Sequence, residues 1–511
     1  MKKLFTMLVA SVCCSMAFAA TSPTTISVSN VTILKGGTTR QMEVTINATG
    51  NTAFQFDLTL PKGVSVKKAT LGSIESNKTA AANQTRQLRH KLFDSNANKY
   101  RFLSYDNGNA ALTDTKVLIT LEAAATATVG NDIDVAGSDV LAVKINNGTI
   151  TPSTQGNGNV AKISVVDGAE ISIGSYGKTT FVGSKDLDFT DSEVIAYIAS
   201  GYDKTNEKIW LTRVKDVPAG TPIMLTGTPS GDNPPYIVPA TTSQTYYPEN
   251  YLKGSATADV AVSDNYDNMA LSQGQFTKWS STTFPKGKAY LQLPKTIASS
   301  TGGSFQFIMG QYGKKSHVDK NDLDFTSVDG LSAYTVTGYS RDGTFWLTKV
   351  NKVSKGTPVY LFGTAGQQYE VPSVAVESSY INMLKGDADN NIDLPKEDNG
   401  FRNCISMQGM FTPLGNDYSN FPAGSCYMQI PSSYLPASAR GEYMDKSMLV
   451  TEVICMSLND IDSDGDVTGI SRVAAETAVG NDAWYNLSGQ RISAPTKRGL
   501  YIRNGKKVIV K

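Results

Sequence analysis

Histidine is almost missing from this chain: His90 and His317 are the two in 511 residues, and neither stands beside a nucleophile motif or in a metal-ligand spacing. That argues against triad hydrolysis and against histidine-built zinc centres. Neither sign of charge is in excess, with 47 basic against 46 acidic residues. The basic footprint by which proteins hold nucleic acid or an anionic membrane is therefore lacking, and no nucleic-acid partner is expected. Long apolar runs are lacking too. Outside residues 4–14, itself far short of the roughly 20 residues that span a bilayer, no run of that length occurs, so no transmembrane segment is expected in the mature chain. Nor does any other stretch keep a 3.6-residue apolar period. What remains is short alternating runs between Gly, Asn, Ser and Thr turns, which reads as all-β. Of five cysteines, Cys13 and Cys14 fall in the leading segment; Cys404, Cys426 and Cys455 are an odd number and cannot all pair within one chain.

The two ends carry export signals. Lys2 and Lys3 precede the apolar run, and Ala17-Phe18-Ala19 supplies a small-x-small site, the pattern of a signal peptide over 1–19. Its removal leaves 45 of the 47 basic residues against the 46 acidic ones. Ala10 and Ser11 stand where a lipobox needs Leu, which argues against lipid attachment at Cys13 or Cys14. At the other end, WYNLSGQRI alternates as a strand, and GLYIRNGKKVIVK reads as a hairpin about Asn504-Gly505, a pair suited to a type I′ turn. These 483–511 motifs closely resemble the C-terminal sorting domain of type IX secretion cargo in the Bacteroidetes. The resemblance implies passage of the outer membrane through export machinery, then release or display at the cell surface.

Residues 20–167 alternate with period two. Phe54, Phe56, Leu58 and Leu60 share one face of a strand and Gln55, Asp57 and Thr59 the other, and Met42, Val44 and Ile46 repeat the pattern one strand earlier. Such spacing predicts a two-sheet sandwich. The order GGTTRQMEVTIN, AFQFDLTLPKGV, YRFLSYD and KVLITLEAAA resembles the cohesin and carbohydrate-binding-module type of sandwich. The resemblance implies binding of a protein partner or a polysaccharide without catalysis. It transfers no ligand-contacting residue. Sugar rings stack on aromatic faces, and this stretch has no Trp; Tyr100 and Tyr105 are its candidate platform, although they fall on opposite faces of one strand. A spacer or protein-contact module stands beside the sugar reading.

From 168 onward the chain repeats itself. Tyr176 and Tyr312, Leu187 and Leu323, and Trp210 and Trp346 each stand 136 positions apart, and WLTRVKDVPAGTPIMLTGT returns as WLTKVNKVSKGTPVYLFGT. A period this long marks whole domains, here 168–309 and 310–457, each expected to be a compact β-domain. They resemble a β-rich module common in secreted Bacteroidetes proteins, from which no activity follows. Trp210 and Trp346 are candidate sugar-stacking residues, with core tryptophans on central strands as the other reading. Asp188 and Asp324 have no local second carboxylate for glycosidase chemistry. Alignment of the copies puts Cys404 opposite Met269, Cys426 opposite Ala289 and Cys455 near Ile308, so burial in the second copy is expected; a Cys404–Cys426 disulfide and free buried thiols are both open.

Between the copies and the tail, 458–482 is an acidic linker. Asp460, Asp462, Asp464 and Asp466 alternate, with Gly465 sixth, as in a calcium loop, but Ser471 stands at the twelfth place where such loops carry a bidentate carboxylate. Weak calcium binding and a solvated linker are the two readings. The whole reads as a secreted or cell-surface, non-enzymatic modular binding protein, recognising polysaccharide or a surface protein through its N-terminal sandwich. A structural or adhesive protein built of spacers is the alternative, and a glycan-degrading enzyme the remote one.

Overall fold

The computed structural model describes residues 24–435 apart from 80–83, 147–148 and 154, then 447–458 apart from 452, and after those the strands Ile470–Arg472, Trp484–Tyr485, Arg491–Ile492, Gly499–Arg503 and Lys506–Val510. Residues 1–19, where a signal peptide is expected, and the acidic residues Asp460, Asp462, Asp464 and Asp466 lie outside the described residues. The fold is all-β, with one short 3-10 turn, Ser432–Tyr434, among the described residues. The chain forms two compact units, one of residues up to 172 together with 232–240, the other of 173–231 together with 241 onward.

In the first unit the alternating strands close a two-sheet sandwich. One sheet runs Ile26–Val28, Arg40–Ile46, Lys116–Ala123, Val64–Leu71, Ile74–Glu75. The other runs Val31–Leu34, Val160–Val166, Gly130–Asn146, Ala53–Thr59, Lys99–Asp106, Arg86–Asp94, with Thr149–Pro152 beside Gly130–Asn146. Val31–Leu34 and Val160–Val166 lie parallel and so tie the beginning of the sandwich to its end. Met42, Val44, Ile119 and Leu121 from one sheet meet Phe54, Phe56, Leu58, Phe102 and Ile163 from the other in one core. Phe56 and Phe102 stack at 4.8 Å between ring centroids. Burying each such side chain contributes about 1.5–3 kcal/mol, and the register is fixed because a one-residue slip would turn every one of them outward.

The second unit holds the duplication. In the first copy Lys178–Val182, Pro222–Thr226, Ile195–Asp203 and Lys208–Val214 form one sheet and Leu252–Gly254, Ala289–Pro294, Tyr266–Ser272 and Gln275–Lys278 a second. The second copy builds the same pair of sheets from Lys314–His317, Val359–Phe362, Ser332–Ser340 and Thr344–Val350, and from Leu384–Gly386, Cys426–Pro431, Phe401–Met407 and Met410–Pro413. Thr212 and Thr348, the same position in the two copies, meet through their buried hydroxyls at 3.0 Å. Equivalent residues can touch in this way when the copies face one another across a pseudo-twofold axis, the intramolecular form of an isologous interface.

That axis carries a reciprocal exchange of strands. Ser378–Tyr380 of the second copy pairs with Ile195–Asp203 of the first, and Thr245–Tyr246 of the first pairs with Ser332–Ser340 of the second. Each receiving strand has a bulge just before its glycine, at Ser200 before Gly201 and at Thr337 before Gly338. Over Gly201 lies the ring of Tyr380, and over Gly338 that of Tyr247; a β-carbon would come within 2.6 Å and 2.9 Å of them. Beyond the copies, Ser447–Val450 extends the second copy's sheet in parallel and Val453–Ser457 extends the first copy's antiparallel, with Cys455 opposite Trp210. The strand expected to close the second copy thus completes the sheet of the first. The tail forms a four-stranded antiparallel sheet, Arg491–Ile492, Trp484–Tyr485, Gly499–Arg503, Lys506–Val510, with Arg503 opposite Lys506; Asn504 and Gly505 lie outside the described residues.

Gly201→Ala and Gly338→Ala should each destabilise the second unit by about 1–3 kcal/mol, because the added carbon displaces a packed ring. Denaturant melts of the two variants check this, and an unchanged midpoint in both would refute the locking role of the exchanged tyrosines.

Candidate functional site

The outer face of the larger sandwich sheet is built by the odd-numbered residues of Ala53–Thr59 and Lys99–Asp106, since the even-numbered ones fill the core. Asp57 stands in the middle of it. Although it points away from the core it is 0% exposed, because cross-strand neighbours close over it. Arg101, its partner in register, donates Nε–H and a terminal N–H at 2.7 and 2.8 Å, a bidentate fork, and Lys99 Nζ lies at 3.3 Å. Lys99 also reaches Asp139 at 2.8 Å, which accepts from Gln155 at 2.8 Å as well. The guanidinium of Arg101 lies 3.9 Å over the ring of Phe93, itself 55% exposed. Two cations and two carboxylates thus neutralise one another on the face.

Hydrogen bonding from Lys99 holds the Asp139 carboxyl below its ordinary value, and the bond to Asp139 raises the Lys99 ammonium; the Asp57 hydrogen bond raises the Arg101 guanidinium. Beside this network the face turns apolar. Leu103, Tyr105 and Leu141 are half-buried, with Gln55 between Leu103 and Leu141 in register, and the row continues past the buried Val143 and through Ile145 to Pro152 and Ile150, the last 39% exposed. Arg89, opposite Leu103, borders the strip on the other side and donates to the Lys78 carbonyl and Gln87 Oε1. A partner covering such a mainly apolar strip buries carbon while the Asp57 network keeps its charges paired.

The residues singled out from sequence lie elsewhere, with one exception. Tyr100 is buried at 8% exposure in the sandwich core, so its ring presents no face to a sugar, whereas Tyr105 belongs to the outer strip. Trp210 and Trp346 are half-buried at the junction of the copies: Trp210 shares the space over Gly201 with Tyr380, and the Trp346 indole N–H donates to Ser340 Oγ at 3.1 Å. Neither is an open platform. Asp188 and Asp324 accept the backbone N–H groups of Thr190 and Thr326 and so hold turns. Cys404 and Cys426 are free and buried, which corrects the disulfide. The register explains it: Cys404 faces Met428, so Cys426 is its diagonal neighbour, about 7–8 Å away where a disulfide needs less than about 7 Å between α-carbons. Burial pushes both thiols up to about 12. Cys455 lies on a described strand, but its side chain is outside the described residues. Among the described residues no cluster of three or more His, Cys, Asp or Glu is placed to hold a metal.

Sequence reasoning missed Asp57, Lys99, Arg101 and Asp139 as a set. The signal available was a carboxylate on a strand with cations at alternate positions of another. It also missed Asp186 and Asp322, equivalent aspartates that each bind backbone N–H groups from two loops, Ala219 and Ser243 in one copy, Lys355 and Val376 in the other.

No family model matches the chain, and no curated protein does. Among solved structures it is similar to a non-cellulosomal cohesin from the hyperthermophilic archaeon Archaeoglobus fulgidus, with 16% identity over 28% of this chain and 91% of that one and a TM-score of 0.20. A likeness of that degree assigns neither partner nor activity.

Asp57→Ala should cost the first unit about 3 kcal/mol, since it strands two cations that the carboxylate now covers; denaturant melting reads it, and a near-neutral substitution would sink the account. The Asp139 contribution is present above the ordinary carboxylate value of 3.8 and is lost as pH falls through the depressed value, so it weakens the unit only below about pH 4. Cys404 and Cys426 should resist iodoacetamide in the folded protein and react after denaturation. A linked pair of their peptides in the non-reduced digest would contradict the free thiols.

Proposed function

We propose that this is a secreted or cell-surface, non-enzymatic modular protein whose N-terminal sandwich docks another surface protein. One observation carries the reading: the outer face beside the Asp57 network is mainly aliphatic, with Leu103, Leu141 and Ile150 set around Tyr105 and Gln55, where a sugar platform would be a row of exposed rings. Only Tyr105 of the two candidate tyrosines is on that face. Export rests on the signal-peptide pattern of 1–19 and on the sorting-like motifs of 483–511, which would direct the chain through the outer membrane, with the duplicated unit carried along behind the sandwich.

The test compares the full chain with Leu103→Glu and Leu141→Glu in binding to intact bacterial cells, before and after protease shaving of the cells. Protease-sensitive binding that falls at least tenfold in both variants, with melting unchanged, is the expected result. Binding that survives shaving, or that ignores both substitutions, would overturn it.

A further inference from the structure

The two copies follow their pseudo-twofold relation closely, and one departure from it opens a cleft. The exchanged strands fix which residues correspond. Thr245 and Tyr246 lie opposite Ser340 and Tyr339, and Ser378 and Ser379 opposite Asp203 and Tyr202, the matching last residues of Ser332–Ser340 and Ile195–Asp203. Ser379 therefore stands where the other copy has Tyr246. In the same way Tyr266 and Phe401 correspond, each opposite the proline that ends the neighbouring strand, Pro294 or Pro431. Three residues past those prolines stand Ile297 and Tyr434.

At one of the two related places Tyr246, Phe401 and Tyr434 fill the space between the copies, with ring centroids 6.2 and 5.8 Å apart and the Arg341 guanidinium 4.7 Å over the Tyr434 ring. At the other the set is Ser379, Tyr266 and Ile297. Ile297 packs into the first copy's core and Ser379 is small, so the space stays open as a cleft of about 1000 Å³. Tyr266, 42% exposed, lines it from the first copy, and Tyr427, set edge-on against Phe421 at 5.8 Å, lines it from the second. The Tyr251 hydroxyl donates to Ser379 Oγ at 2.5 Å across the floor. Burial raises the Tyr251 phenol to about 12, so this donor stays protonated at any physiological pH.

We propose that this cleft binds a neutral oligosaccharide chain. The charges on its lining cancel: Glu249 pairs with Lys253 at 2.7 Å, and Lys385 is matched by Asp387. A polyanion would require a cationic excess and an apolar ligand a carbon-dominated wall; the lining has neither. The exposed Tyr266 ring and the half-buried Tyr427 ring suit the C–H faces of sugar rings, and amides, hydroxyls and the Lys385 ammonium around them suit hydroxyl groups. The volume sits at the upper end of small-ligand sites, which suits several linked sugars more than one.

Native affinity electrophoresis of the full chain in gels containing soluble starch, xyloglucan or galactomannan tests the site, with polygalacturonate as the charged comparison. Retardation by at least one neutral polysaccharide is expected. Ser379→Tyr, which installs the ring that fills the related place, should abolish it without shifting the unfolding midpoint. If that variant fails to fold, the Tyr266→Ala, Tyr427→Ala double variant decides, with at least a tenfold loss expected. Leu103→Glu, on the sandwich, should leave retardation unchanged, which separates this site from the protein-docking face. No retardation in any neutral gel, retardation only by polygalacturonate, or retardation indifferent to the cleft variants would overturn the proposal.

Discussion

The second unit depends on a contact between equivalent residues. Thr212 and Thr348 can share a hydrogen bond because the duplicated domains face each other across a pseudo-twofold axis, and that arrangement lets each copy lend a strand to its neighbour. Exchange of this kind makes the copies mutually dependent. The Tyr380 and Tyr247 rings sit where only a glycine leaves room, so the bulged strands and the lent strands specify one another. The strands after the copies reinforce this, since Ser447–Val450 covers an edge of one copy and Val453–Ser457 an edge of the other. Covered edges have no free ladder to offer another chain.

The sandwich solves a different problem. Its outer face carries apolar side chains, and the Asp57 network sets charge beside them in matched pairs. A single buried carboxylate would be costly. Bidentate pairing with Arg101 and support from Lys99 make it tolerable, and the cost of separating them holds Lys99–Asp106 in register against Ala53–Thr59. The same network keeps Phe93 under the Arg101 guanidinium.

Much of this was legible in the residues. Period-two alternation placed Phe54, Phe56 and Leu58 in the core, and the 136-residue offset announced two copies of one fold. What could not be read was the geometry between copies. Periodicity within a strand says which face is buried, never which copy supplies the neighbour, so Trp210 and Trp346 read as core or sugar platform when they lie at the junction. The choice between a Cys404–Cys426 disulfide and free thiols stays open in the sequence for a related reason: apolar counterparts signal burial, but not the two-residue offset between neighbouring strands that separates sulfurs in one layer. Alternation puts Asp57 on the face away from the core but does not give its burial, because it carries no information about a cation 44 residues away in sequence and adjacent in space.

Comparison of the copies also shows how paired substitutions preserve a fold. In the second copy His317 stacks on Phe305 at 3.7 Å with Nε2 3.0 Å from the Asp319 carboxylate and Nδ1 2.9 Å from the Gly424 carbonyl. Burial alone would raise the Asp319 carboxyl; the hydrogen bonds from His317 and the Asn321 N–H outweigh it and leave it below its ordinary value. The first copy has Phe181 and Gly183 in the same two places. A phenyl ring there could not satisfy a carboxylate, and the carboxylate is gone with it. The imidazole and its acid are thus one unit, present together or replaced together, while Tyr246, Phe401 and Tyr434 have Ser379, Tyr266 and Ile297 as counterparts, a set with less ring volume. Where changes in contact keep the volume and the hydrogen bonding matched, the packing is what persists; where they remove volume together, a cavity remains, and in this protein that loss lies at the cleft between the copies.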